Sequence, residues 1–194
     1  GLDGVSTRMI ADRAELKLSS IHYHFGGKEK LYLAALSKAM DADTCTNFSS
    51  VIAENPILLE NPAGRAEIIR TTVFRSFYDH FKGDVLAWTT QLIVREIVTP
   101  SRLYPVFEET VIKPDKEAAR ELYRRCRPEL DEVQFNGWLD ILHSQVFLYV
   151  IAKDTLEILM GEGSMNTDFF RGVARVVARA MILELDLPLP DDLS

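Results

Sequence analysis

Apolar residues recur at three-to-four-residue spacing along most of the 194-residue chain, the period of an amphipathic helix. Nowhere do five or more residues alternate apolar and polar between turn signals, as a half-buried strand would. Glycine and proline punctuate the pattern at Gly26-Gly27, Asn55-Pro56, Asn61-Pro62-Ala63-Gly64, Lys82-Gly83-Asp84, Pro100, Pro128, Gly161-Glu162-Gly163, and Pro188 with Pro190. Between these marks the spacing predicts helices at about 6–14, 19–25, 28–53, 65–81, 84–99, 103–126, 131–160 and 166–185. Pro105 and Pro114 fall inside the sixth, which must be kinked or built as two pieces. The chain reads as all-α, without internal repeats.

The last two long helices differ from the others. From Trp138 to Ala152 the sequence WLDILHSQVFLYVIA is apolar on nearly every face, so it needs cover on more than one side. The final helix carries Phe169, Phe170, Val173, Val176, Val177, Ala180 and Met181 on one stripe and Arg171, Arg175 and Arg179 on another. Small residues Gly172, Ala174 and Ala178 would admit a close neighbour. Burial inside a monomeric bundle is one account. The favoured expectation is a homodimer through the helices at about 131–160 and 166–185, joined as a four-helix interface.

Residues 6–25 are the most specific stretch. Ser6 or Thr7 can cap a short helix with Met9, Ile10 and Ala14 as its buried face. The turn Glu15-Leu16-Lys17 follows, with Leu16 placed to pin it to the core. A second short helix begins near Leu18, with Ile21 and Phe25 inward and Ser19, Ser20, His22, Tyr23 and His24 on or beside its outward face. Two short helices joined by a three-residue turn form a helix-turn-helix pattern. Its second helix would offer small polar side chains to base edges in a major groove. Lys28 opens the next helix, where its ammonium and the free backbone N–H groups can meet one phosphate.

Charge sharpens this picture. The chain carries a net −7, with 47% apolar and 26% charged residues, the make-up of a globular protein. Residues 1–40 alone are net +2, and the remainder net −9. A basic head on an acidic body fits a head that meets phosphate. No apolar run approaches the ~18–20 residues of a membrane span, and no basic flank leads into an apolar stretch at the N-terminus. Cys45 and Cys126, 81 positions apart, offer neither a disulfide framework nor zinc spacing. The expected compartment is the cytoplasm, without membrane association.

The stretch STRMIADRAELKLSSIHYHFGGKEKLYLAAL resembles the helix-turn-helix of TetR-type transcriptional repressors. The matching positions are Ile10-Ala11, Ala14, Leu16, Ile21, Tyr23-His24-Phe25, Lys28-Glu29 and Leu31. Gly26-Gly27 and the later VREIVTPSRLYPVFEETVIKP are similar to the branch with a CecR-like C-terminal domain. The resemblance implies a DNA-binding domain over residues 1–45 and a ligand-binding and dimerisation domain over 46–194. It also implies one further helix ahead of Gly1, so the head as given is expected to be incomplete. Glu15 stands where the family usually has glycine; a left-handed conformation there costs about 1 kcal/mol.

Other candidates carry less. His22-Tyr23-His24 is a poor metal pair, because helix neighbours do not share a face; no metal or other cofactor is expected. His80 and His143 are lone histidines. The acids Glu108-Glu109 and those near 115–117 read as solvated faces, Asp115 and Glu117 also suiting a helix first turn after Pro114. Arg95 and Glu96 sit in an otherwise apolar helix, as a structural ion pair or as polar groups of an inducer cavity. That cavity would involve Trp88, Gln91, Leu92, Arg95, Glu96 and Phe107, with His143 as a further polar group. No nucleophile is paired with a base and no glycine loop cradles phosphate, so the chain is not expected to be an enzyme.

The expectation is a ligand-responsive repressor whose two heads read a two-fold operator in double-stranded DNA. Ser19, Ser20, His22 and Tyr23 are expected at bases or groove, and Thr7, Lys17, His24 and Lys28 at phosphates, with Arg8 beside them. The helix running from Lys28 toward Cys45 would be the lever between a small-molecule inducer and the heads. The competing class is an all-helical carrier or enzyme whose basic head is only structural.

Overall fold

A computed structural model of the chain describes residues 2–39, 47–81 and 87–194. The far end of the expected lever around Cys45, and the turn Lys82-Gly83-Asp84, lie outside the described residues. Among those described, every regular element is helical, and no helix is long and apolar enough to cross a membrane.

A 3-10 turn at Leu2–Gly4 buries Leu2 ahead of three short helices. These are α1 (Thr7–Arg13), α2 (Leu18–Phe25) and α3 (Lys28–Ala39). Ser6 starts α1: its extended backbone lets Oγ accept the N–H of Met9 at 3.1 Å, satisfying one of the orphan donors of a first turn. The face α1 buries is centred on Ala11, at 0% exposure. Met9 is 59% exposed and Ala14 is exposed, so the expected face is rotated by part of a turn.

Glu15 links α1 to α2 with φ +54°, the left-handed conformation its position demands. The turn closes on the backbone, where Leu16 N–H donates to Ala11 O at 2.9 Å. Leu16 therefore need not anchor it, and its side chain is 55% exposed. Gly26, at φ +72°, stops α2 by turning its N–H back to His22 O at 2.9 Å, as only glycine does without a Cβ penalty.

The remaining helices are α4 (Phe48–Glu54), α5 (Pro62–Phe81), α6 (Ala87–Val98), α7 (Tyr104–Phe107), α8 (Lys113–Cys126), α9 (Glu132–Ile151), α10 (Lys153–Met160) and α11 (Thr167–Glu184). The spacing predicts a single helix over 28–53; α3 is described as far as Ala39, and α4 starts afresh behind Asn47. Asn47 Oδ1 accepts the N–H of Ser50 while Ser50 Oγ accepts that of Asn47, a reciprocal cap. α5 begins three residues earlier than predicted. Asn61 Oδ1 accepts Gly64 N–H at 2.8 Å, and Pro62 sits where no N–H is needed.

Gly64 lies directly over the 3-10 turn Pro56–Glu60, where a Cβ would fall 2.2 Å from Leu58 O. Over 131–160 the expected helix breaks at Ala152 into α9 and α10. Between α7 and α8, Glu108–Ile112 forms one wide π turn, with Lys113 N–H reaching Glu108 O. Pro114 follows at the start of α8, so the wider turn takes up the missing donor and ring bulk of a proline inside a helix.

The bundle core gathers around α5, α9 and α11. Phe48, Ile69, Phe77, Leu122, Phe135, Trp138 and Met181 are almost wholly buried. Trp138 Nε1–H donates to Met181 O at 3.0 Å, tying α9 to α11. Phe81 and Phe170 stack with centroids 3.9 Å apart. Ala174 and Ala178 are buried within the chain, where α11 packs on α5. Those small residues thus serve an internal contact rather than a second copy.

Asp115 departs from the solvated face expected of it. From the first turn of α8 its carboxyl accepts Ser49 N–H of α4 at 2.8 Å. Burial pushes its pKa up to about 6, against the opposing pull of the Ser49 and Phe48 N–H groups.

Candidate nucleic-acid interface

The head is built around one buried side chain on α2, Ile21, at 4% exposure. With Ile21 inward, helical geometry turns its neighbours out. Ser19, His22, Tyr23 and His24 are exposed and Ser20 is partly so. Tyr23 is the extreme, at 86% exposure, its ring set edge-on to His24 with centroids 5.0 Å apart. Phe25, expected inward, is 39% exposed at the end of α2. α2 is eight residues long, and the diameter of a helix, about 10–12 Å, is what a B-DNA major groove about 12 Å wide admits.

Cations flank α2 on the same unit. Arg8 and Lys17 are exposed, at the first turn of α1 and just before α2, while Thr7 and Lys28 are partly exposed. Lys28 is the first residue of α3, at the end of that helix where backbone N–H groups lack intrahelical partners. The structure thus brings Thr7, Arg8, Lys17, Ser19, Ser20, His22, Tyr23, His24 and Lys28 onto one three-helix unit.

The expected inducer residues do not come together in this way. Gln91 and Arg95 are exposed on α6 and Leu92 is partly buried, whereas the side chain of Trp88 lies outside the described residues. His143 is partly buried beside Phe147, centroids 6.4 Å apart. Phe107 is 1% exposed and borders a cleft of about 300 Å³ between α3 and α7, with Leu33, Ala34, Ser37, Val106 and Thr110. A second cleft of about 150 Å³, lined by aromatic residues, opens between α5 and α11.

Glu96 is buried rather than part of a surface ion pair. At 1% exposure its Oε2 accepts the Tyr32 hydroxyl of α3 at 2.6 Å. Its Oε1 accepts the N–H and hydroxyl of Ser101, at 2.9 and 2.7 Å. Burial, with the Glu96 hydrogen bond and charge added, holds the Tyr32 phenol above its ordinary pKa. Nearby, Arg102 reaches Glu29 of α3 at 2.5 Å across an exposed surface. Sequence reasoning missed Tyr32, Ser101, Arg102 and Glu29. The Tyr32–Glu96 and Glu29–Arg102 partners lie 64 and 73 residues apart, so no local signal marks them; Ser101 lies five residues beyond Glu96 and is an ordinary loop serine in the sequence.

No group of three or more metal-ligating side chains stands together among the described residues. Residues 1–35 match the family model for bacterial regulatory proteins of the tetR family. The matched segment takes in the 3-10 turn Leu2–Gly4, α1 and α2 and runs into α3. No curated protein matches the chain. The match supports a DNA-binding transcriptional regulator.

Proposed function

We propose that the protein is a ligand-responsive transcriptional repressor of the TetR type that binds a two-fold operator as a homodimer. The observation that carries this reading is the outward face of α2, polar and exposed over one buried Ile21, within the segment that matches the tetR family model. In the proposal residues 1–45 are the DNA-binding domain and 46–194 the regulatory domain, of the CecR-like kind. Ser19, Ser20, His22 and Tyr23 meet the major groove, and Thr7, Arg8, Lys17, His24 and Lys28 hold the flanking phosphates.

Dimerisation is proposed through the outward faces of α9, α10 and α11. Leu148, Ile151, Ile158, Leu159, Val176 and Leu183 are between 47% and 83% exposed there, a set of large apolar residues that a second copy would cover. The inducer is proposed to be a small, mainly apolar molecule. The cleft between α3 and α7 supports this, since occupying it would press on the helix that continues from the DNA-reading unit. A hundredfold loss of operator affinity needs only about 2.7 kcal/mol of differential binding.

The test is binding of the full-length protein to DNA upstream of its own gene, across a salt series and against genomic competitor DNA. Tight, competitor-resistant binding by two protomers per site is the expected result. Affinity no better than for competitor would overturn the reading.

A further inference from the structure

The carboxyl of Glu96, a residue 1% exposed, bonds across to α3, and both of its oxygens accept hydrogen bonds. One is taken by the Tyr32 hydroxyl and the other by both donors of Ser101. Ser101 Oγ in turn accepts Leu103 N–H at 3.1 Å, so the carboxyl is held from the α7 side and cannot rotate away from Tyr32 without breaking bonds. Tyr32 and Glu29 stand one helical turn apart on α3, and both are tied to the 96–102 segment. The Glu29–Arg102 pair is more than half exposed at both ends and adds little. The Tyr32–Glu96 bond is the stiffer one, because Glu96 is 1% exposed and a buried polar group without its partner is penalised.

α3 packs against α2 and is joined to it by the Gly26-Gly27 turn, so the direction of α3 carries that of the DNA-reading helix. From this geometry we infer that Glu96 is a positioning residue for operator recognition. Through Tyr32 it sets the angle of each head on the body, and hence the half-site spacing that the dimer accepts. The inference rests on the DNA-binding reading above. Glu96 touches no DNA in it and carries no sequence readout of its own.

The experiment begins with full-length wild-type protein selecting duplexes from a random-sequence library. Affinities of wild type, Tyr32→Phe, Glu96→Gln and Glu96→Ala are then measured on the selected duplex and on versions with one or two base pairs added or removed between half-sites. Thermal midpoints and non-specific affinity are followed in parallel. Wild type is expected to lose tenfold or more on each altered spacer. Tyr32→Phe, which keeps the ring and removes only the hydroxyl, is expected to flatten that discrimination to threefold or less, with non-specific affinity unchanged. Glu96→Gln, whose amide can still bond Tyr32 and Ser101, should keep more of it than Glu96→Ala.

A Tyr32→Phe protein with the wild-type spacing profile overturns the inference while leaving the DNA-binding reading intact. So does an equal loss on every spacer accompanied by a lowered thermal midpoint, which is the mark of a merely structural bond. If wild type selects no sequence, the DNA-binding reading fails and the inference goes with it.

Discussion

Asp115 Oδ1 accepts the backbone N–H of Ser49 at 2.8 Å, joining the first turn of α8 to the first turn of α4. Burial raises the pKa of this carboxyl from 3.8 to about 6. Between about pH 4 and 6 the folded protein therefore holds a proton that the unfolded chain has released. The contribution of this group to stability falls as pH rises through that window and is level above it. Asp115→Asn keeps an acceptor for Ser49 and removes the titration. Urea unfolding at pH 5 and pH 7 should show wild type gaining on Asp115→Asn at the lower pH, by on the order of 1–2 kcal/mol. A constant gap would contradict the burial of the carboxyl.

Gly64 is required by a close approach rather than by backbone freedom. A Cβ there would lie 2.2 Å from Leu58 O, so Gly64→Ala must push α5 off the turn beneath it. A loss of about 1–3 kcal/mol is expected, read as a lowered urea midpoint. Gly172→Ala is the contrast, since its Cβ would meet nothing within 4 Å; it should be neutral or slightly stabilising in a helix.

On the proposed DNA face, Tyr23→Ala and Ser20→Ala should weaken binding to a selected operator by about 1–3 kcal/mol without changing the oligomeric state. Lys28→Ala should weaken binding to all sequences alike and lower the salt slope by about one. Fluorescence titration across a salt series separates the two. An effect of Lys28→Ala confined to one base position would refute the phosphate role.

Val176 and Ile158, 70% and 83% exposed on α11 and α10, probe the proposed dimer face. Either position changed to Asp leaves the chain's own core untouched, so folding should hold. Sedimentation at micromolar concentration should shift toward monomer. Unchanged dimers in both variants would move the interface elsewhere.

The local features of the head were legible because their causes are local. Ser6 caps α1, Gly26 stops α2 and Glu15 takes the left-handed turn, each set within four residues of sequence. Leu16 and Phe25 misled for a related reason: apolar character reads as burial, but Leu16 closes its turn through the backbone and leaves its side chain in solvent. What the pattern could not convey is pairing at a distance. Glu96 in an apolar helix was visible, but its partner Tyr32 is 64 residues away. Asp115 has the sequence setting of any first-turn acid, and its partner Ser49 is 66 residues away. Ala174 and Ala178 signalled close approach correctly without saying to which helix. The break at Ala152 has neither glycine nor proline to announce it.

The wide turn at Glu108–Ile112 acts as a phase shift within an otherwise continuous helical rod. A residue added to a regular helix turns everything beyond it by about 100°, and the wider turn absorbs much of such an extra residue in place. Phe107 before it and Ala119 and Leu122 after it can thus each be buried although they serve different neighbours. Shortening 108–112 by one residue would restore a regular helix and misalign the two ends, so the length of this segment is as constrained as the identity of any side chain it carries.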